Sequence, residues 1–140
     1  LCDESDDVNL FNKAAKEQGL SELTKYIPID VEQKDFDTKL QSEWFMPDEF
    51  KNMDLYRFLE EKCERVNELQ RMELEYHEYE DRGMLNLLCY MVYLVSFMRE
   101  NDIVWGVGRG SSVASYILYL IGVHKVDSIQ YGLDFNEFMR

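Results

Sequence analysis

The stretch from Leu85 to Met98 reads Leu-Asn-Leu-Leu-Cys-Tyr-Met-Val-Tyr-Leu-Val-Ser-Phe-Met and is apolar on nearly every side at helical spacing. A helix without a polar face cannot rest on a surface; it must be surrounded by other elements or by lipid. Asn86 and Ser96 interrupt the run and Arg99 and Glu100 close it, short of the roughly 20 residues that cross a bilayer. The sequence therefore predicts a core helix over Leu85–Glu100 that the rest of the chain must cover. With 140 residues, 46% of them hydrophobic, there is enough material to do so. Met84, Met91 and Met98 recur every seven residues with Leu87, Leu88, Leu94 and Val95 between them, a core pattern rather than a partner groove.

The covering elements are read from the same periodicity. Val8, Leu10, Phe11, Ala14 and Ala15 predict a short amphipathic helix that stops at Gly19. Between Tyr26 and Phe50 the period is lost, Pro28 and Pro47 break any helix, and Trp44, Phe45 and Met46 form an apolar knot, so this is read as a linker that packs. Asn52 or Asp54 caps a helix with Leu55, Phe58, Leu59, Val66 and Leu69 as its stripe, and a further helix, Arg71 to Arg82, ends at Gly83. Asp102-Ile103-Val104-Trp105 is β-branched and apolar and predicts a short strand. A glycine-rich turn follows, then a helix from Ser111 or Ser112 to about Ile121, ended by Gly122. The expected fold is mostly α with a short β element: an N-terminal helix and packed linker over 1–50, and a helical segment with the strand, turn and helix over 51–140, forming one globular unit.

Net charge and metal-ligand patterns narrow the function classes. A net charge of −13 opposes binding to nucleic acid, which relies on Lys and Arg to neutralise phosphates. The charge is uneven: residues 101 to 140 set Arg109, Lys125 and Arg140 against Asp102, Asp127, Asp134 and Glu137, so nearly all of the excess lies in residues 1 to 100. Cys2, Cys63 and Cys89 lack metal or disulfide spacing, which fits a reducing cytoplasm. No basic, apolar leader opens the chain, and Leu1 rather than Met points to trimming. Asp3, Glu4, Asp6 and Asp7 read as an acidic end. Glu73, Glu75, Glu78 and Glu80 read as a solvated helix face. His77 and His124 have no second neutral ligand at metal spacing.

The chemistry is concentrated in Gly106-Val107-Gly108-Arg109-Gly110-Ser111-Ser112. Glycines permit positive φ and remove the Cβ atoms that hold a ligand at a distance. A helix starting at Ser111 would aim its unpaired N–H groups and partial positive charge at the same spot, with Arg109 adding a permanent charge and Ser111 or Ser112 a hydroxyl. Such an arrangement suits a triphosphate. It is neither a Walker A loop nor a Rossmann fingerprint. The plainer reading, a tight strand-to-helix connection whose glycines serve only the turn, stands beside it.

Ile103 to Ser115, reading Ile-Val-Trp-Gly-Val-Gly-Arg-Gly-Ser-Ser-Val-Ala-Ser, resembles the palm motif of bacterial C-family DNA polymerases, the DNA polymerase III alpha subunits. The likeness runs from about Arg71 to Tyr131-Gly132-Leu133 and Phe135-Asn136-Glu137-Phe138, half of the chain. It implies a polymerase beta-like palm in which Gly108, Arg109, Gly110, Ser111 and Ser112 hold the triphosphate of an incoming deoxynucleotide, with Mg2+ present only together with that nucleotide. Val107 stands where the family usually has proline, Ala114 where it has glycine, and His124-Lys125 where Thr-Asp is common. The family's acidic, metal-binding strand falls after Arg140, so the resemblance implies a nucleotidyltransferase segment without catalytic residues of its own, inactive alone. Compact forms of this kind resemble virus-encoded relatives.

Two readings follow. In the first, the chain is a nucleotide-binding palm segment of a replicative polymerase, partnered by the remainder of such an enzyme, cytoplasmic in a bacterium or a phage-infected host, with weak direct DNA binding and no membrane association. In the second, it is a stand-alone acidic phage or bacterial protein that binds or modulates the replication machinery. Nucleotide affinity separates them.

Overall fold

The computed structural model describes residues 6–24, 30–107 and 109–139. Contacts divide the chain into two compact units, Leu1–Lys39 and Leu40–Arg140.

In the first unit, α1 spans Asp6–Glu17, with Asp6 and Asp7 at its positive end and Lys16 in its last turn, as the helix dipole favours. Gly19 takes φ +67°, and Leu20 N–H donates to Ala15 O at 2.9 Å, which stops the helix where the sequence places the stop. Asn12 then holds the returning chain. Its amide donates to Leu23 O at 3.0 Å and accepts from Leu23 N–H at 2.7 Å. A second helix, α2, covers Gln33–Ser42, begins in this unit and ends in the next, and buries none of its residues. It lies inside the stretch read as a linker, because a helix with no apolar stripe leaves no periodic signal.

The second unit contains the core. Pro47 fixes the entry to the single turn of α3, Asp48–Lys51. Asp54 caps α4, Leu55–Glu60, accepting from Arg57 N–H at 3.0 Å. The expected single stripe through Val66 and Leu69 is broken by a turn. A separate α5, Val66–Asp81, starts there, with Val66 73% exposed. The Glu68 carboxylate accepts the backbone N–H groups of Glu64 and Arg65 at 2.8 and 3.1 Å, holding its pKa below the ordinary carboxylate value, with help from the Arg65 guanidinium. Gly83, at φ +67°, turns the chain into α6, Leu85–Glu100.

The core helix α6 lies where its sequence requires. Leu88, Cys89, Val92 and Val95 are buried, and the helix packs on α3, on α4 and on α7, Tyr116–Ile121. Leu88, Val92 and Val95 each contribute roughly 1.5–3 kcal/mol by leaving water. The knot of Trp44, Phe45 and Met46 closes one side, with Trp44 5.0 Å from Tyr90, Phe45 6.3 Å from Tyr93 and Met46 buried. The enclosure is not complete, since Phe97 is 44% exposed.

The short β element is absent: among the described residues no strand forms, and the fold is helical throughout. Asp102 adopts φ +55° and Ile103 N–H bonds back to Met98 O at 2.9 Å, so the segment leaves α6 as a capped turn. Val104 is 95% exposed. β-branched residues favour a strand only when a neighbouring strand supplies the ladder and the packing, and none of the described residues does so.

Candidate functional site

Around the glycine turn, Gly106, Val107, Arg109 and Gly110 are exposed, while Gly108 lies outside the described residues. Neither Gly106 nor Gly110 has a positive φ, and a Cβ added to either would meet no atom within 4 Å. The turn therefore does not need glycine at these two positions. Arg109 makes no ion pair among the described residues.

No α-helix begins at Ser111. Gly110–Ala114 form a 3-10 turn, the chain is extended at Ser115, and α7 starts only at Tyr116. The two serines part company. Ser112 is buried and its hydroxyl donates to Arg109 O at 2.6 Å, tying the turn to itself. Ser111 Oγ is buried without a hydrogen-bond partner among the described residues, leaving it the hydroxyl not committed to the fold.

The free N–H groups of α7 are taken by the protein's own carboxylate. Glu75, fully buried, accepts from Tyr116 N–H at 2.8 Å, Ile117 N–H at 3.0 Å and the Ser115 hydroxyl at 2.8 Å. Arg71 donates to the same carboxylate at 2.6 Å through Nε, and through Nη2 to Ala114 O at 2.9 Å and Leu133 O at 3.0 Å. Tyr79 OH lies 3.1 Å from Ser115 Oγ, and its burial raises the phenol pKa well above the ordinary value. Thus Glu75 is no part of a solvated face, and the helix end expected to receive phosphate already holds an anion. The reason is register: Glu68, Met72, Glu75 and Tyr79 form the buried stripe of α5.

Beside the turn, Trp105 donates its indole N–H to Gly122 O at 3.2 Å and carries the Arg99 guanidinium 5.9 Å from its ring centre. Gly122 takes φ +93°, and a Cβ there would collide with the Arg99 guanidinium. His124 is buried. Its Nδ1 accepts from Val126 N–H at 3.3 Å and its Nε2 faces Ser115 O at 3.1 Å, which fixes the neutral ring with the proton on Nε2; burial lowers its pKa in agreement. A cleft of about 690 Å3 opens here between Trp105, Gly106, Val107 and Val113 on one side and Gly122 to Val126 on the other.

The structure thus holds Arg109, Gly110, Ser111 and Ser112 in one turn, exposed at Arg109 and Gly110 and buried at the two hydroxyls, on a base of Arg71, Glu75, Tyr79, Ser115 and His124 for which the sequence analysis had no role. The signal for Arg71 and Glu75 was their i, i+4 spacing on the face of Met72 and Tyr79. His77 is exposed and faces Glu80 at 3.4 Å. Asp3 and Glu4 lie outside the described residues. Among the described residues no helix is long and apolar enough to cross a membrane.

Comparison with known proteins places this site in a family context. The family described as the bacterial DNA polymerase III alpha NTPase domain matches residues 49–140. DNA polymerase III subunit alpha of Staphylococcus aureus strain Mu50 is 32% identical over 71 residues, 51% of this chain and 7% of that protein. The same subunit of Staphylococcus epidermidis is 28% identical over 85 residues, 61% of this chain and 8% of that protein. The chain therefore spans less than a tenth of the length of these relatives. No solved structure matches.

Proposed function

The chain belongs to the bacterial DNA polymerase III alpha NTPase domain family, and from that premise we propose that its turn from Gly108 to Ser112 holds the triphosphate of a deoxynucleotide during DNA replication. The observation that carries the reading is the pair of glycines the fold does not need. At Gly106 and Gly110 the φ is ordinary and the space open, so a side chain is excluded by nothing in the protein itself. A bare backbone serves a ligand that approaches closely.

The phosphate contacts in this reading differ from those of a helix-end cradle. Glu75 occupies the N-terminus of α7, so the charge is met by Arg109 and by backbone N–H groups of the turn. Mg2+ accompanies the nucleotide, and the carboxylates that would hold it for phosphoryl transfer come from other parts of a polymerase. Nucleotide binding without turnover is the expected behaviour of these residues.

The test is a titration with deoxynucleoside triphosphate and Mg2+ followed by backbone amide shifts. Saturable shifts at Gly110 to Ser112 are expected, with affinity about tenfold weaker in Arg109→Ala. Gly110→Ala is expected to weaken binding while leaving thermal stability unchanged. An absence of shifts at millimolar ligand overturns the proposal.

A further inference from the structure

Lys62, after α4, Arg99, at the end of α6, and Lys125, after α7, come together around a cleft of about 620 Å3 whose other walls include Trp105, Tyr119 and His124. No carboxylate lines it. In a chain of net charge −13, three exposed cations from separate elements share one concavity, and none makes an ion pair among the described residues. Two are held by aromatic faces. The Lys62 ammonium lies 4.7 Å from the Phe58 ring centre, and the Arg99 guanidinium stands over Trp105.

Like charges gathered in this way repel one another, and an anion between them turns the repulsion into attraction. The neighbouring cleft of about 690 Å3 shares Arg99, Trp105, Gly122, His124 and Lys125 and continues over Ile103, Val104, Val107 and Val113, with Asp102 as its one carboxylate. One compartment is cationic and the other largely apolar, with an aromatic ring at their junction. None of Arg109, Gly110, Ser111 or Ser112 lines either.

We infer that Lys62, Arg99 and Lys125 bind the phosphate of a nucleotide unit, with its base against Trp105 and Tyr119, at a site beside the glycine turn that does not use Arg109, Gly110, Ser111 or Ser112. The nucleotide unit is either free or part of a single strand. Both carry a phosphate beside a flat base, and both suit cations placed next to aromatic faces. The cleft also gives an acidic protein a local place for such an anion without a basic surface overall.

Trp105 emission reports on the site in a Trp44→Phe background, since the chain has two tryptophans. The full chain is titrated with deoxyadenosine monophosphate and, separately, with a short single-stranded oligothymidylate, with calorimetry alongside. A saturable response is expected, weakened about tenfold in Lys62→Gln/Lys125→Gln, reduced by added salt and unchanged in Arg109→Ala. A response to the mononucleotide supports a free-nucleotide site, and a response to the oligonucleotide alone supports a strand-binding one. No heat and no emission change with either probe at millimolar concentration overturns the inference, as does a titration that the double lysine variant leaves intact. Because Arg109→Ala separates the two sites, failure here is distinguishable from failure of the glycine turn to bind triphosphate.

Discussion

Glu75 shows how much one side chain can decide. Its carboxylate accepts two backbone N–H groups, a hydroxyl and a guanidinium nitrogen in a place with no exposure to water. Glu75→Gln keeps the shape but sets an amide where several donors converge and strips Arg71 of its counter-charge. Breaking a buried pair in this way costs about 3–5 kcal/mol, and urea unfolding of the variant is expected to show it. In Arg71→Met/Glu75→Gln the loss is expected to be smaller than the sum of the single losses; simple additivity would mean that the two groups are not coupled. The turn with Arg109, Gly110 and Ser111 stands out in the sequence because glycines, a cation and a hydroxyl follow one another directly. Glu75 was missed, since its one local mark is the i, i+4 spacing from Arg71 on the face of Met72 and Tyr79, and the groups it binds lie 40 to 42 positions further on.

At the scale of elements, legibility depended on whether the deciding contacts were local. Helix α6 and the stops at Gly83 and Gly122 are where the sequence puts them, because an apolar run and a left-handed glycine act within a few residues. The start of α7 is not, because it is fixed by a carboxylate 41 positions away from Tyr116. The expected strand failed for a related reason: Ile103, Val104 and Trp105 have the right side chains, but pairing is a property of two segments. Helix α7 ends with Gly122 N–H donating to Leu118 O and Tyr119 O at 3.1 and 3.0 Å and Val123 N–H to Leu118 O at 2.9 Å. Gly122→Ala meets both a left-handed φ and the Arg99 guanidinium, and is expected to destabilise by more than about 1 kcal/mol. Differential scanning calorimetry checks the loss. A melting temperature equal to that of the parent chain would contradict this account of the helix end.

On the scale of the whole molecule, the main core runs from Met46 to Phe135 and lies entirely in the second unit. Residues 40–140 alone are therefore expected to unfold in one cooperative transition, with a melting temperature within about 8 °C of the full chain, a shift worth roughly 1 kcal/mol for a domain of this size. A broad, non-cooperative melt would show that the first unit is needed to complete the fold. The clamp around Glu75 also ties together points far apart in the sequence. Trp105 is held by its indole and the Ser112 hydroxyl reaches back to Arg109 O within the turn, while Ala114, Ser115, Tyr116 and Leu133 are tied to one ion pair. Trp105 on one side of the glycine turn and Ala114, Ser115 and Tyr116 on the other thus stand like the two piers of a span, set in place by contacts that owe nothing to what the span carries.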